Sequence, residues 1–120
     1  MNLKEIRFGK IGGTIPDRGD IFNLQFKPQS GREQVYRPAF IISPAAYNKV
    51  STLILVCPIT SRQKGWPFEV ELTPPMKIRG VVLVNQIKSI DCISRGAIFV
   101  ERSPDDVIDE VLAKLETLVS

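Results

Sequence analysis

Apolar and polar residues alternate over Asp20–Phe26, with Phe22, Leu24 and Phe26 on one side and Asn23 and Gln25 on the other. Period-two alternation of this kind predicts a half-buried strand. It returns over Trp66–Leu72, where Phe68, Val70 and Leu72 oppose Glu69 and Glu71. Pro38–Ser43 and Thr52–Ile59 are instead nearly continuous apolar runs of strand length, which suits central strands covered on both faces. Gly80–Ile87 and Gly96–Glu101 predict two further strands. Turn chemistry separates the runs: Pro16-Asp17-Arg18-Gly19, a turn or single helical turn at Ser43–Asn48, and Thr73-Pro74-Pro75. Lys27–Tyr36 holds Pro28, Ser30 and Gly31, is too polar for a core element, and predicts an exposed loop.

The end of the chain changes period. Val107, Ile108, Val111, Leu112, Leu115, Leu118 and Val119 recur at helical spacing. Ser103 suits the N-cap, Pro104 the first helical position, and Asp105 and Asp106 the positive end of the helix dipole. Short strands followed by one amphipathic helix predict a mainly β, SH3-like barrel with a C-terminal helix, a small α+β domain. Residues 1–15, broken at Gly12-Gly13, read as a tail or edge segment, and residues 16–120 as a single domain.

Composition narrows the partners. Net charge is +3, but residues 1–102 hold 15 Lys/Arg against 8 Asp/Glu, and residues 103–120 hold 1 against 5. A basic body with an acidic end points to an anionic partner such as nucleic acid, or merely to solubility. The apolar runs are far too short to span a membrane, and no signal peptide is evident, so the chain is read as cytoplasmic. Cys57 and Cys92 each sit in an apolar run and read as core residues, which fits a reducing compartment. No metal site or cofactor is expected, since no histidine exists to join the cysteines.

The missing histidine also removes the commonest general base. Against that background, Gly31-Arg-Glu-Gln-Val-Tyr-Arg-Pro38 places the carboxylate of Glu33 four residues before the guanidinium of Arg37.

Five segments, in order, resemble the MazF/PemK family of toxin endoribonucleases. They are Pro16-Asp-Arg-Gly-Asp20, Gly31–Pro38, Cys57-Pro-Ile-Thr60, Lys64-Gly-Trp-Pro-Phe-Glu-Val70 and Val84-Asn-Gln-Ile-Lys-Ser-Ile-Asp91. The resemblance implies a homodimeric, metal-independent endoribonuclease of a toxin–antitoxin operon, cutting single-stranded mRNA at specific sequences by attack of the 2′-OH. A cognate antitoxin of the MazE kind would lay an acidic segment in the same groove. Arg37, Thr60 and Glu33 correspond to the family's functional positions. Arg37 would steady the charge on the phosphate, Glu33 would take a proton, and Thr60 would donate a hydrogen bond or orient the 2′-OH. Members usually carry Glu-x4-Arg-Pro with a glycine inside; here the spacing is Glu33-x3-Arg37, without that glycine and with Arg32 in place of a serine.

RNA binding would use Lys27, Arg32, Arg62, Lys64 and Lys88, joined by Arg95, in or beside predicted loops. Trp66 would stack on a base and Gln86 would read a base edge. The helix is expected to be structural, its acidic surface turning RNA elsewhere. Two other functions fit the same barrel: a non-catalytic gyrase poison of the CcdB group, and an SH3-like interaction module without catalysis.

Overall fold

In the computed structural model, residues 15–26 and 35–120 are described, and they form one antiparallel sheet and a C-terminal helix. The strands are β1 (Asp20–Phe26), β2 (Val35–Ile41), β3 (Ile54–Thr60), β4 (Glu69–Leu72), β5 (Gly80–Leu83), β6 (Lys88–Ile90) and β7 (Ile98–Arg102). A short helix α1 (Ala45–Asn48) links β2 to β3, and α2 (Asp105–Val119) ends the chain. The order across the sheet is β4-β5-β3-β2-β1-β7, with β6 also paired to β3. Among the described residues β4 and β7 do not pair with each other, so the expected barrel is an open half-barrel. No helix of the described residues is long and apolar enough to cross a membrane.

The sheet is covered on both faces, as the continuous apolar runs require. One face carries Ile21, Phe40, Cys57, Ile59, Val70 and Val82, packed against Val107, Ile108 and Val111 of α2. The other carries Phe22, Leu24, Ala39, Ile41, Ile54 and Val56, closed by Ile90, Cys92 and Ala97. Successive strand residues point to opposite faces, so each run feeds both clusters in turn.

Two expectations are corrected. Gly80–Ile87 is not one strand: β5 ends at Leu83 and a 3-10 turn (Val84–Gln86) precedes β6. Both strands pair one edge of β3, but Thr60 faces Val81 while Val56 faces Lys88. The 3-10 residues take up that slip in register. Ser103 is not the N-cap either. The helix starts after Pro104, without a side-chain cap. Ser103 is tied instead to the sheet, its N–H donating to the Gly19 carbonyl (2.8 Å), while its buried Oγ has no partner among the described residues. Residues 1–14 of the expected tail, and Lys27, Arg32 and Glu33 of the loop, lie outside the described residues.

Asn48 stitches the first turn to α1. Fully buried, it donates through Nδ2 to the carbonyls of Pro16 (2.7 Å) and Ser43 (2.8 Å) and accepts from the Ser43 hydroxyl. Asn48→Ala orphans these groups, and urea unfolding is expected to show a loss of roughly 2–4 kcal/mol. Burial pushes the thiols of Cys57 and Cys92 up from 9.0 to about 12, Asp91 adding to the effect at Cys92. The folded state therefore holds these protons more tightly than the unfolded chain. The stability this gives is complete below pH 9 and declines as pH rises towards 12. Native protein is expected to resist thiol reagents at pH 8, and to react fully once unfolded.

Candidate nucleic-acid interface

Arg37 and Thr60 are far apart in sequence but line one cavity just past the end of the β2–β3 ladder. The β2–β3 ladder pairs Ile41 with Val56, Phe40 with Cys57 and Ala39 with Pro58. Extending it by two residues brings Arg37 opposite Thr60. Alternation gives both residues the face that buries Ala39, Ile41 and Val56, so they prolong a core face past the end of its core. There the strands part and a cavity of about 470 Å³ opens, lined by Val35, Arg37, Thr60, Ser61 and Arg62. Arg37 is exposed, its side chain has no hydrogen-bond or ion-pair partner among the described residues, and its planar donor fork has the shape to hold a phosphate. Thr60 Oγ1 accepts from the Arg62 N–H (3.1 Å), which leaves its own O–H to donate.

A second cavity of about 220 Å³ shares Thr60 and Arg62 with the first and adds Lys64, Trp66, Glu69, Leu83 and Gln86. Trp66 is 45% exposed, with Lys64 Nζ 4.7 Å from its ring centroid and Phe68 5.1 Å away on centroids. Gln86 reaches this cavity because the 3-10 turn lifts it out of the ladder. Lys88 lies on β6 opposite Val56, and neither cavity includes it in its lining. The two cavities thus join Arg37, Thr60, Arg62, Lys64, Trp66 and Gln86 along one groove, with three cationic side chains over its length. The acidic residues of α2 belong to the element packed on the opposite face.

Sequence reading misses Val35, Ser61, Glu69 and Leu83. Glu69 is the consequential omission. Alternation assigns it to an outward face, yet it is only 7% exposed, because the Lys64–Trp66 turn folds over it. A buried carboxylate that accepts backbone N–H bonds leaves no mark in an apolar–polar pattern.

Comparison with known proteins gives concordant relatives. Residues 17–119 match the family described as PemK-like, MazF-like toxin of type II toxin–antitoxin system. The endoribonuclease toxin MazF of Escherichia coli K12 is 37% identical over 110 residues, covering 91% of this chain and 98% of the relative. Endoribonuclease PemK of Escherichia coli is 34% identical over 110 residues, covering 87% and 82% respectively. Among solved structures, a MazE–MazF complex from Deinococcus radiodurans superposes with a TM-score of 0.81 at 46% identity, covering 87% of this chain and 95% of that one.

Beside the end of β3 the backbone leaves little room at Gly80. Its φ is +123°, and a Cβ there would overlap the Thr60 carbonyl oxygen. Gly80→Ala is expected to cost more than about 1 kcal/mol in urea unfolding. It should also move the backbone amide resonances of Thr60 and Arg62. Wild-type stability and unmoved resonances would show that Gly80 does not fix the end of β3.

Proposed function

This chain belongs to the PemK-like, MazF-like toxin family, and from that premise we propose that it is a sequence-specific endoribonuclease toxin restrained by an antitoxin. The observation that carries this reading is the opposition of Arg37 and Thr60 across one cationic groove. RNA brings its own nucleophile, the 2′-OH, so the protein has to move protons and stabilise charge.

In the proposed reaction the Arg37 guanidinium holds the scissile phosphate and balances the charge that grows on its non-bridging oxygens. The Thr60 hydroxyl donates to the same phosphate. Glu33 accepts the 2′-OH proton as the 2′-oxygen–phosphorus bond forms. The bond to the 5′-oxygen breaks, and that oxygen takes up a proton from water. The products are a 2′,3′-cyclic phosphate and a 5′-hydroxyl. No step needs a metal. Lys27, Arg32, Arg62, Lys64 and Lys88 supply the cationic surface for single-stranded RNA, and Trp66 and Gln86 meet its bases. An acidic antitoxin segment folding into the groove competes with RNA for the same cations. The working unit is a homodimer.

Incubating the protein with a long single-stranded RNA in EDTA tests this reading. Discrete cuts with 5′-hydroxyl ends are expected, falling about 10²–10³-fold in Arg37→Ala. Intact RNA at high protein concentration would sink the proposal. Glu33→Gln is expected to lower the cleavage rate by about 10²–10⁴-fold while RNA binding persists. Near-normal cleavage by that variant would remove Glu33 from the base role.

A further inference from the structure

The Arg62–Trp66 turn supplies much of the second cavity, yet it spans the exposed stretch between β3 and β4, where the ladder cannot hold it. Glu69 holds it. The carboxylate accepts the N–H of Gly65 (2.9 Å, at Oε1) and of Lys64 (3.2 Å to each oxygen). The Glu69 N–H donates to the Trp66 carbonyl (3.1 Å), closing the turn from the other side. Its carbonyl in turn accepts from Lys114 Nζ of α2 (2.7 Å), and Lys114 is also paired with Glu110 (3.2 Å). Gly65 has a φ of +78° with open space around its Cα, so backbone conformation sets the turn there and side-chain packing does not.

We propose that Glu69 is a positioning residue for RNA recognition, clamping the Lys64–Gly65 peptide so that Trp66 and Lys64 present a fixed binding surface. This rests on the reading above that the groove binds single-stranded RNA. A carboxylate suits the task because its two oxygens accept from two converging N–H groups with charge assistance. Glutamine offers one carbonyl oxygen and turns an N–H₂ towards a donor. Aspartate is one methylene too short. The link from Glu69 to Lys114 also anchors this part of the groove to the helix across the sheet.

Trp66 is the chain's only tryptophan, so intrinsic fluorescence reports this surface directly. In Glu69→Gln, which keeps the size of the side chain, the emission of the free protein is expected to shift and quenching by acrylamide to increase. The KM for a short cleavable RNA should rise about tenfold with kcat within about threefold, because the lost clamp weakens binding and spares the reacting groups. Glu69→Ala should extend both effects, and preference for the best cleavage site over its single-base variants should narrow. A folded Glu69→Gln protein with wild-type emission, quenching and KM would overturn the proposal. So would a fall confined to kcat, which would place Glu69 in the chemistry. If Glu69→Ala does not fold, Glu69→Gln decides alone. Failure of the wild-type protein to cut RNA would instead sink the ribonuclease reading, and the fluorescence arm, which needs no RNA, separates the two failures.

Discussion

Strand β3 is paired along both edges, and the rest of the molecule depends on that constraint. One edge takes β2. The other takes β6 over Ile54–Val56 and β5 over Ile59–Thr60. A strand hydrogen-bonded on both sides has little freedom to slide, because a shift by one residue would exchange its two buried faces. Cys57 and Ile59 belong to the core beneath the helix, whereas Ile54 and Val56 belong to the core on the far side. Two cores therefore hold one register, and that register delivers Thr60 to its place opposite Arg37.

The groove follows from geometry already needed for folding. The face that buries Ala39, Ile41 and Val56 continues outward to Arg37 and Thr60, which line an open cavity past the end of that core. Polar and cationic residues at this rim stay hydrated and avoid the desolvation cost that the core would impose. On the opposite face α2 buries Val107, Ile108 and Val111 and carries its carboxylates outward. Basic groove and acidic helix thus occupy opposite faces of one sheet, which keeps the helix carboxylates away from the proposed RNA site.

Much of this is legible in the amino-acid sequence itself. Alternation and apolar runs locate the strands because burial on one or both faces writes itself into period and composition. The segments around Arg37 and Thr60 are readable as a resemblance, and the ladder gives that resemblance a physical cause. Legibility fails where the deciding interaction is made with backbone groups that no periodic pattern records. Ser103 looks like a cap, but its N–H is claimed by Gly19. Gly80–Ile87 looks like one strand, but two registers on β3 force a turn into it. Glu69 looks solvent-facing, but the backbone of Lys64 and Gly65 closes over it. None of these leaves a periodic trace.

Everything proposed for this chain requires that substrate lie in the groove running from Arg37 past Thr60 to Trp66. An amide NMR titration tests that placement, using a short single-stranded RNA with 2′-deoxyribose at the cleavage position, which binds without being cut. Resonance changes are expected to concentrate at Arg37, Thr60–Trp66 and Leu83–Gln86, and to weaken as salt is raised. Changes concentrated on the exposed surface of α2, with the groove resonances unmoved, would refute the placement.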